Sequence, residues 1–188
     1  MSDTTTSSAA REAALKSLSA LGTPPAEGFS SSANFNELLR ASGRHVRRLV
    51  DCATARIWVA RRGGRRLVAR VFDEERGAVV RELRLARGEG LAGWAVSHEQ
   101  TLRLDPGERR PDLKGEMEPF TSALVIPLFR RGEVFGAIEC LDKRGGGAFT
   151  DADFDHLDMA IEHIAFALDN ALLYQETERR ALEKEVLL

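Results

Sequence analysis

The chain has 188 residues and a mass of 20.7 kDa, which suits one domain with room for helical extensions. It is 43% hydrophobic and 30% charged, with a mean hydropathy of −0.26, as expected for a soluble globular protein that buries one core. Its formal net charge of −2 excludes a histone-like or polybasic nucleic-acid-binding protein.

The near-neutral total conceals two segments of opposite charge. Residues 40–88 contain 14 arginines and five acids, whereas residues 139–188 contain five bases and 12 acids. The basic segment lacks interleaved aromatic residues and a recognition-helix pattern, so we expect no nucleic-acid partner. We interpret it as solvated strand faces that pair with the acidic C-terminal helix.

Cysteine content and hydropathy limit the compartment and the kind of site. Cys52 and Cys140 are the only cysteines, which excludes a disulfide framework and a four-ligand zinc site and favours a reducing, cytoplasmic location. No apolar run approaches the roughly 20 residues of a membrane span, and the N-terminus does not resemble a signal peptide. We therefore expect no membrane association.

The first predicted elements are a flexible segment and a helix. Residues 1–33 are rich in Ser, Thr and Ala, with a possible short helix around residues 10–21. A second helix is expected from an N-cap at Asn34 to about Asp51. Its apolar stripe consists of Phe35, Leu38, Leu39, Val46, Leu49 and Val50.

A series of short strands follows. Period-2 patterns and turn residues predict strands at 52–60, 66–72, 79–85, 101–104, 122–129 and 134–141. The third strand alternates apolar and charged residues, which predicts one solvent-exposed face. A short helix is expected at 91–97, and the polar segment 105–120 is long enough to be a lid or a binding loop.

A long final helix is predicted from Asp151 to the C-terminus, with Thr150 as its N-cap. Its apolar positions recur every three or four residues and extend beyond the length of one domain, which indicates a helix-mediated homodimer or a signalling linker. The residues assigned to this dimer helix are Leu157, Ile161, Ile164, Leu168, Ala171, Gln175 and Leu182. We divide the chain into a domain at 34–175 and a coiled-coil extension at 176–188.

No motif indicates catalysis. Residues 88–93 match GxGxxG, but the preceding strand alternates and no βαβ repeat follows, so we interpret the motif as a tight strand-to-helix turn. His156 and His163 are interpreted as solvated or interface-edge residues, and no metal site is expected. Cys140 lies in an apolar strand and is interpreted as an inert core thiol, so we expect no enzymatic activity.

The chain resembles the GAF domain, a ligand-sensing module of signalling proteins, over about residues 34–175. The resemblance rests on the order of five segments: ARIWVA at 55–60, GEGLAGWAV at 88–96, TSALVIPLF at 121–129, GEVFGAIECLDK at 132–143 and FTDADF at 149–154. It implies an α+β fold with a six-stranded antiparallel sheet. The N- and C-terminal helices would cover one face of the sheet, and a ligand pocket would lie on the other.

The resemblance also suggests a structural contact. Cyclic-nucleotide-binding members carry the pattern N-K…F-x-x-x-D-E, and this chain matches it at Lys143, Phe149 and Asp153. We expect Lys143 and Asp153 to form a structural brace. The replacement of the Asn by Asp142 and of the Glu by Phe154 disfavours cyclic-nucleotide binding, which is kept as an alternative.

The expected function is a non-catalytic sensory domain that binds a small ligand or a protein partner, dimerises and controls a signalling output domain. Strand alternation and the resemblance assign Arg56, Trp58, Trp94, Leu104, Phe120, Thr121, Ser122 and Glu139 to the pocket. One alternative is a GAF domain that has lost its ligand, in which these residues only fill the core and the domain serves dimerisation or protein interaction. Another is an enzyme similar to methionine-sulfoxide reductases, which would need clustered reactive cysteines.

Overall fold

A computed structural model describes residues 31–61 and 63–186. Three helices are present: α1 (Ser31–Leu49), α2 (Gly90–His98) and α3 (Asp151–Val186). The six strands are β1 (Cys52–Ala60), β2 (Arg66–Phe72), β3 (Val79–Ala86), β4 (Leu102–Leu104), β5 (Ala123–Arg130) and β6 (Glu133–Lys143). They form one antiparallel sheet in the order β3-β2-β1-β6-β5-β4, so the predicted α+β fold is confirmed.

The helix ends differ from prediction in one place. Helix α1 begins at Ser31, so Asn34 lies inside the helix and is not its cap. Helix α3 begins as predicted, because the backbone N–H of Asp153 donates to Oγ1 of Thr150. The short helix predicted around residues 10–21 lies outside the described residues.

The sheet separates two apolar cores. On β6, Ile138 and Cys140 face the core beneath α1 and α3, whereas Ala137 and Leu141 face the core beneath α2. The inner strands are therefore buried on both faces and read as continuous apolar runs. This arrangement places the terminal helices on one side of the sheet and leaves the other side to α2 and the long loop 105–120.

The GxGxxG segment is a strand-to-helix turn, as predicted. Gly88 and Gly90 have φ angles of +92° and +62°, a region that L-residues with side chains rarely adopt. A Cβ at Gly93 would lie 2.7 Å from the carbonyl oxygen of Ala86. The glycines therefore allow α2 to pack directly against the end of β3.

The predicted alternation of β3 is only partly realised. None of its eight residues is fully buried, because β3 is the outermost strand of the sheet. Leu83 and Leu85 pack against the α2-side core, while Val79 and Val80 are exposed. The sequence correctly identified the strand, but not its place at the edge.

The predicted dimer stripe of α3 is largely a core stripe, and its assignment is corrected. Leu157, Ile164 and Leu168 are fully buried against the protomer's own sheet, so a second copy cannot contact them. Ile161 and Ala171 are partly buried at the border of the same core. The remaining two, Gln175, which is partly buried, and Leu182, which is 63% exposed, lie farther along the helix.

Several arginines of the basic segment form ion pairs with glutamates outside the C-terminal helix. Arg47 pairs with Glu74, Arg70 and Arg84 pair with Glu82, and Arg81 pairs with Glu118. Two described ion pairs of α3 instead join Asp151 to Arg103 on β4 and Asp169 to Arg130 on β5. These contacts do not follow the predicted pairing of the basic segment with the C-terminal helix.

None of the described helices is long and apolar enough to cross a bilayer.

Candidate ligand cavity

A cavity of about 340 Å³ lies on the sheet face opposite α1 and α3. Its walls come from β1, β3, β6, the start of α2 and the loop 105–120. The lining residues are Arg56, Trp58, Leu83, Arg84, Leu85, Gly90, Leu91, Glu116, Met117, Glu118, Phe120, Glu139 and Leu141. The mixture of apolar walls and a few converging polar groups is typical of small-molecule sites, and the volume is at the small end of their range.

Four of the eight predicted pocket residues line this cavity: Arg56, Trp58, Phe120 and Glu139. Arg56 and Trp58 were accessible to prediction because residues two apart share one face of a strand. Arg56 is directly opposite Glu139 in the β1–β6 register, which brings their side chains together.

The other four predicted residues lie elsewhere. Trp94 Nε1 donates to Oδ2 of Asp112 at 2.8 Å, Leu104 is buried in the α2-side core, and Ser122 Oγ accepts from the backbone N–H of Lys143 at 3.1 Å. Thr121 is exposed. None of these four residues lines the cavity.

A buried carboxylate is the chemical centre of the cavity. Glu139 is 4% exposed, and its Oε2 accepts from Trp58 Nε1 at 3.0 Å and from Arg56 Nη1 at 3.4 Å. Burial raises the pKa of Glu139 above its ordinary value, although the bonds from Trp58 and Arg56 oppose the shift. Among the described residues, no hydrogen bond reaches its Oε1.

Arg56 links this carboxylate to the loop that covers the cavity. Its Nη2 also bonds to Glu118, and Arg81 Nη2 holds the other oxygen of Glu118 at 3.0 Å. Hydrogen bonding and charge from Arg56 hold the pKa of Glu118 below its ordinary value. The guanidinium of Arg56 is thus shared between two carboxylates, one buried and one half-exposed.

The loop 105–120 is anchored to α2 at two places. The backbone N–H of Gly90 donates to the carbonyl of Lys114 at 2.7 Å, and Asp112 accepts from Trp94, as described above. Arg110 lies over the Trp94 ring at 4.9 Å and, by its hydrogen bond, holds the pKa of Asp112 far below its ordinary value. The loop is therefore a fixed cover for the cavity, and Met117 and Phe120 extend from it to the lining.

Sequence reasoning missed the apolar wall of the cavity. Leu83 and Leu85 alternate on β3, and Leu141 follows Glu139 by two positions on β6, so strand periodicity could have assigned them. Leu91 and Met117 could not be found in this way, because the docking of a short helix and a loop depends on tertiary contacts.

The predicted brace residues are in direct contact. Lys143 Nζ lies 2.7 Å from Oδ1 of Asp153 and 2.7 Å from the carbonyl oxygen of Val50. The other oxygen of Asp153 accepts from the backbone N–H of Thr150 at 2.8 Å. The end of β6, the end of α1 and the first turn of α3 are joined at this one point.

Neither cysteine faces the cavity. Cys52 and Cys140 are fully buried in the core beneath α1 and α3. The hydrogen bond with Cys52, together with burial, raises the pKa of the Cys140 thiol well above its ordinary value, as expected for an unreactive core thiol. Within the described ranges, no group of three or more His, Cys, Asp or Glu side chains could hold a metal ion.

Helix α3 carries a second apolar stripe that the sequence interpretation missed. Met159, Phe166 and Leu173 recur every seven residues and are 62%, 68% and 41% exposed. His156 and His163 are exposed on the same helix. The seven-residue spacing was visible in the sequence, but the core residues Leu157 and Ile164 recur with the same spacing only two positions before Met159 and Phe166.

Comparisons with known proteins agree with this geometry. The family model of the GAF domain matches residues 32–169. The chain is 24% identical over 135 residues to the dual 3',5'-cyclic-AMP and -GMP phosphodiesterase 11A of Takifugu rubripes, a match that covers 65% of this chain. The chain spans only 15% of that relative's length.

Two solved structures show the same fold. The GAF domain of the Acinetobacter phosphoenolpyruvate-protein phosphotransferase is 14% identical with a TM-score of 0.65, covering 87% of this chain and 95% of the other. The free methionine-R-sulfoxide reductase of Neisseria meningitidis, in complex with its substrate, is 14% identical with a TM-score of 0.57, covering 86% and 89%. The fold thus occurs in the GAF domain of a phosphotransferase and in a methionine sulfoxide reductase.

Proposed function

The chain belongs to the GAF domain family, whose members are sensory and regulatory modules of signalling proteins, and we propose that it binds a small molecule in the cavity described above. The observation that carries this proposal is the buried carboxylate of Glu139, whose Oε1 has no described hydrogen-bond partner and which lies among apolar walls. Oε1 is therefore available to accept a hydrogen bond from a ligand in the cavity.

The lining defines the class of ligand. Trp58, Phe120 and the leucines of the wall offer a surface for an apolar or heteroaromatic body. Glu139 would accept from an amine or another N–H group of the ligand. We therefore propose a small neutral or cationic molecule with an N–H donor.

A cyclic nucleotide fits this cavity less well. Its phosphate needs a free cation, but Arg56 is bound by Glu118 and Glu139, and Arg84 is bound by Glu82. The sequence match to the phosphodiesterase supports membership of the same family. It does not offset the repulsion that a phosphate would meet beside the carboxylates of Glu118 and Glu139.

The cavity has a direct connection to α3. Strand β6 carries Glu139 at the cavity and ends at Lys143, which contacts Asp153 in the first turn of α3. We propose that ligand binding shifts β6 and thereby the packing of α3 against its surroundings. This requires that the ligand bind two arrangements of the helix with different affinity.

Filling the cavity is expected to abolish ligand binding. Leu83→Trp places a large ring in the lining from the edge strand, whereas Val80→Trp adds the same ring on the same strand, at a residue that is 63% exposed and outside the cavity. Native mass spectrometry of protein purified from its own cells should detect a bound small molecule with the wild type and Val80→Trp, and none with Leu83→Trp. Cyclic AMP and cyclic GMP should leave the Tm of all three proteins unchanged.

A wild-type protein with no bound molecule and no Tm shift with a metabolite panel would contradict ligand sensing and favour a ligand-free interaction module. A Tm rise with a cyclic nucleotide that Leu83→Trp removes would favour the cyclic-nucleotide alternative. Reductase chemistry is disfavoured, because both cysteines lie on the opposite face of the sheet from the cavity.

We further propose that two copies associate through the exposed stripe Met159, Phe166 and Leu173 of α3. Large apolar side chains exposed at heptad spacing are the pattern of a two-helix interface. The helix continues to Val186, beyond the last residues that pack on the sheet, although the next position at this spacing is the charged Arg180. Such a dimer would carry the signal to an output domain or a partner protein in the cytoplasm.

A charge in this stripe is expected to weaken the dimer. Phe166→Glu should move the monomer–dimer equilibrium toward monomer by about tenfold or more, since it places a carboxylate in an apolar contact. Val80→Glu, at a residue of similar exposure on the sheet edge (63% against 68%), should leave the equilibrium unchanged. Sedimentation equilibrium over a range of concentrations measures both, and a wild type that is monomeric throughout would contradict the proposal.

A further inference from the structure

The sheet is split between β1 and β2. β1 pairs with β6 from Cys52 to Val59, but its pairing with β2 covers only Trp58–Ala60. β2 continues to pair with β3 as far as Phe72. The β2–β3 hairpin therefore diverges from β1, and within the described part of the chain no strand pairs with residues 53–57 of β1 on that side.

The split opens a cleft of about 260 Å³ beneath α1. Gly43 of α1 faces the edge of β1, and a Cβ there would lie 3.4 Å from the carbonyl oxygen of Ala55. At the far wall, the guanidinium of Arg40 packs against the turn of the hairpin at Gly77. The cleft is thus bounded by a helix, a strand edge and a hairpin, and its lining shares only Arg56 with the cavity around Glu139.

The cleft is strongly basic. Six arginines line it, together with a single carboxylate, that of Glu74. The arginines are Arg40, Arg44, Arg47, Arg56, Arg70 and Arg81. Arg47 pairs with Glu74, Arg70 with Glu82, and Arg56 with Glu139. The other described carboxylate partners are shared: Arg40 is bound to Glu37, which lies 4.0 Å from Arg44, and Arg56 and Arg81 both bind Glu118. Positive charge therefore exceeds negative charge at this point of the molecule.

One of these arginines has a donor without an acceptor. Nε of Arg44 is buried and has no hydrogen-bond partner, and its Nη2 is 4.0 Å from Glu37, too far for a hydrogen bond. A buried, unpaired N–H of a charged group costs more free energy than a neutral one. The Arg44 side chain as a whole is 35% exposed and makes no described hydrogen bond, so its Nη groups are available to an anion in the cleft.

We propose that this cleft binds a small phosphorylated molecule that carries at least two negative charges, such as a diphosphate group. Guanidinium groups bind phosphate oxygens in a planar, two-pronged geometry, and the arginines reach the cleft from a helix and from both sides of the split sheet. The small volume favours a compact anion over a protein segment. The proposal does not depend on whether the Glu139 cavity binds a ligand.

Inorganic pyrophosphate is the probe for this site. Calorimetric titration of the wild type should give saturable binding at constant ionic strength, and Arg44→Gln should weaken it by about tenfold or more, the loss of a charge-assisted hydrogen bond. Arg48→Gln removes the same charge from the same helix, at an exposed residue outside the cleft. It should change the affinity by less than about twofold.

Two further measurements test whether pyrophosphate binds the Arg44 guanidinium and whether it binds in this cleft. Arg44→Lys retains the charge but loses Nε, so its affinity should lie between those of the wild type and Arg44→Gln. In amide NMR spectra, pyrophosphate should shift Gly43 and Ala55, and Leu83→Trp, which fills the other cavity, should bind pyrophosphate normally.

Equal affinities of Arg44→Gln and Arg48→Gln would show only nonspecific attraction and would overturn the proposal. Tighter binding of a glutamate-rich peptide than of pyrophosphate would assign the cleft to an acidic protein segment and would overturn it as well. Amide NMR shifts that are confined to residues of the Glu139 cavity would also overturn the proposal.

Discussion

Replacing Arg56 by methionine is expected to lower the free energy of unfolding by about 3 kcal/mol at pH 8. The substitution keeps the apolar stem but leaves the buried carboxylate of Glu139 without its cation, and removing one partner of a buried ion pair typically costs this much. Trp58 still donates to Glu139, which limits the loss. In a chain of this size, the change corresponds to a fall in Tm of roughly 6–10 °C.

The penalty should depend on pH in a defined direction. The pKa of Glu139 is already raised by burial, and losing Arg56 raises it further. Above the unfolded-state pKa of about 4.3, the folded protein then holds a proton that the unfolded chain releases, so stability falls as pH rises toward the folded-state pKa. The cost of Arg56→Met should therefore be smaller at pH 5 than at pH 8.

Two further variants isolate the buried charge. Adding Glu139→Gln to Arg56→Met should recover most of the lost stability at pH 8, because the amide still accepts from Trp58 but carries no charge. Arg84→Met makes the same substitution at another residue of the same cavity that is 64% exposed in its side chain, and it should cost less than about 0.5 kcal/mol. Urea unfolding at both pH values measures all of these, and an Arg56→Met penalty independent of pH would contradict the assignment.

The sequence predicted the elements well and their mutual packing poorly. The strands were identifiable because alternation and turn residues are local signals. For the same reason Arg56, Trp58 and Glu139 could be placed on one face before the fold was known. The cover of the cavity was not accessible, because Met117 lies in a loop whose position is set by contacts with α2.

The long helix shows why periodicity alone misleads. A helix of 36 residues can carry more than one apolar stripe, and both Leu157–Leu168 and Met159–Leu173 satisfy helical spacing. Which stripe faces the sheet depends on tertiary packing, so the sequence interpretation assigned the core stripe to a dimer. The arginine cleft was missed for a related reason, since the divergence of β2 from β1 has no local signature in the sequence.

The contact at the end of β6 combines three stabilising roles in one side chain. Asp153 bonds to Lys143, and it also accepts from the backbone N–H and the hydroxyl of Thr150, forming a reciprocal cap with the hydroxyl of that residue. Burial opposes the ionisation of Asp153, but Lys143 and Thr150 outweigh it and hold the pKa of the carboxyl below its ordinary value. The ionised form is therefore the one that stabilises the fold.

Asp153→Ala is expected to lower the free energy of unfolding by about 3 kcal/mol at pH 7, because it removes the helix cap and leaves the mostly buried ammonium of Lys143 without a carboxylate partner. Asp155→Ala removes an exposed acid from the same helical turn and should cost about 0.5 kcal/mol, the size of a helix-dipole interaction.

Since the pKa of Asp153 is depressed in the folded state, the contribution of its carboxylate to stability is complete above the unfolded-state pKa of about 3.9 and declines as pH falls through the folded-state value. The stability difference between the wild type and Asp153→Ala, measured by urea unfolding, should therefore shrink below about pH 4, and a difference that grows on acidification would contradict the brace. Because this contact also connects the cavity strand to α3, the proposed coupling of ligand binding to dimerisation should be lost in Asp153→Ala even at temperatures where the variant remains folded.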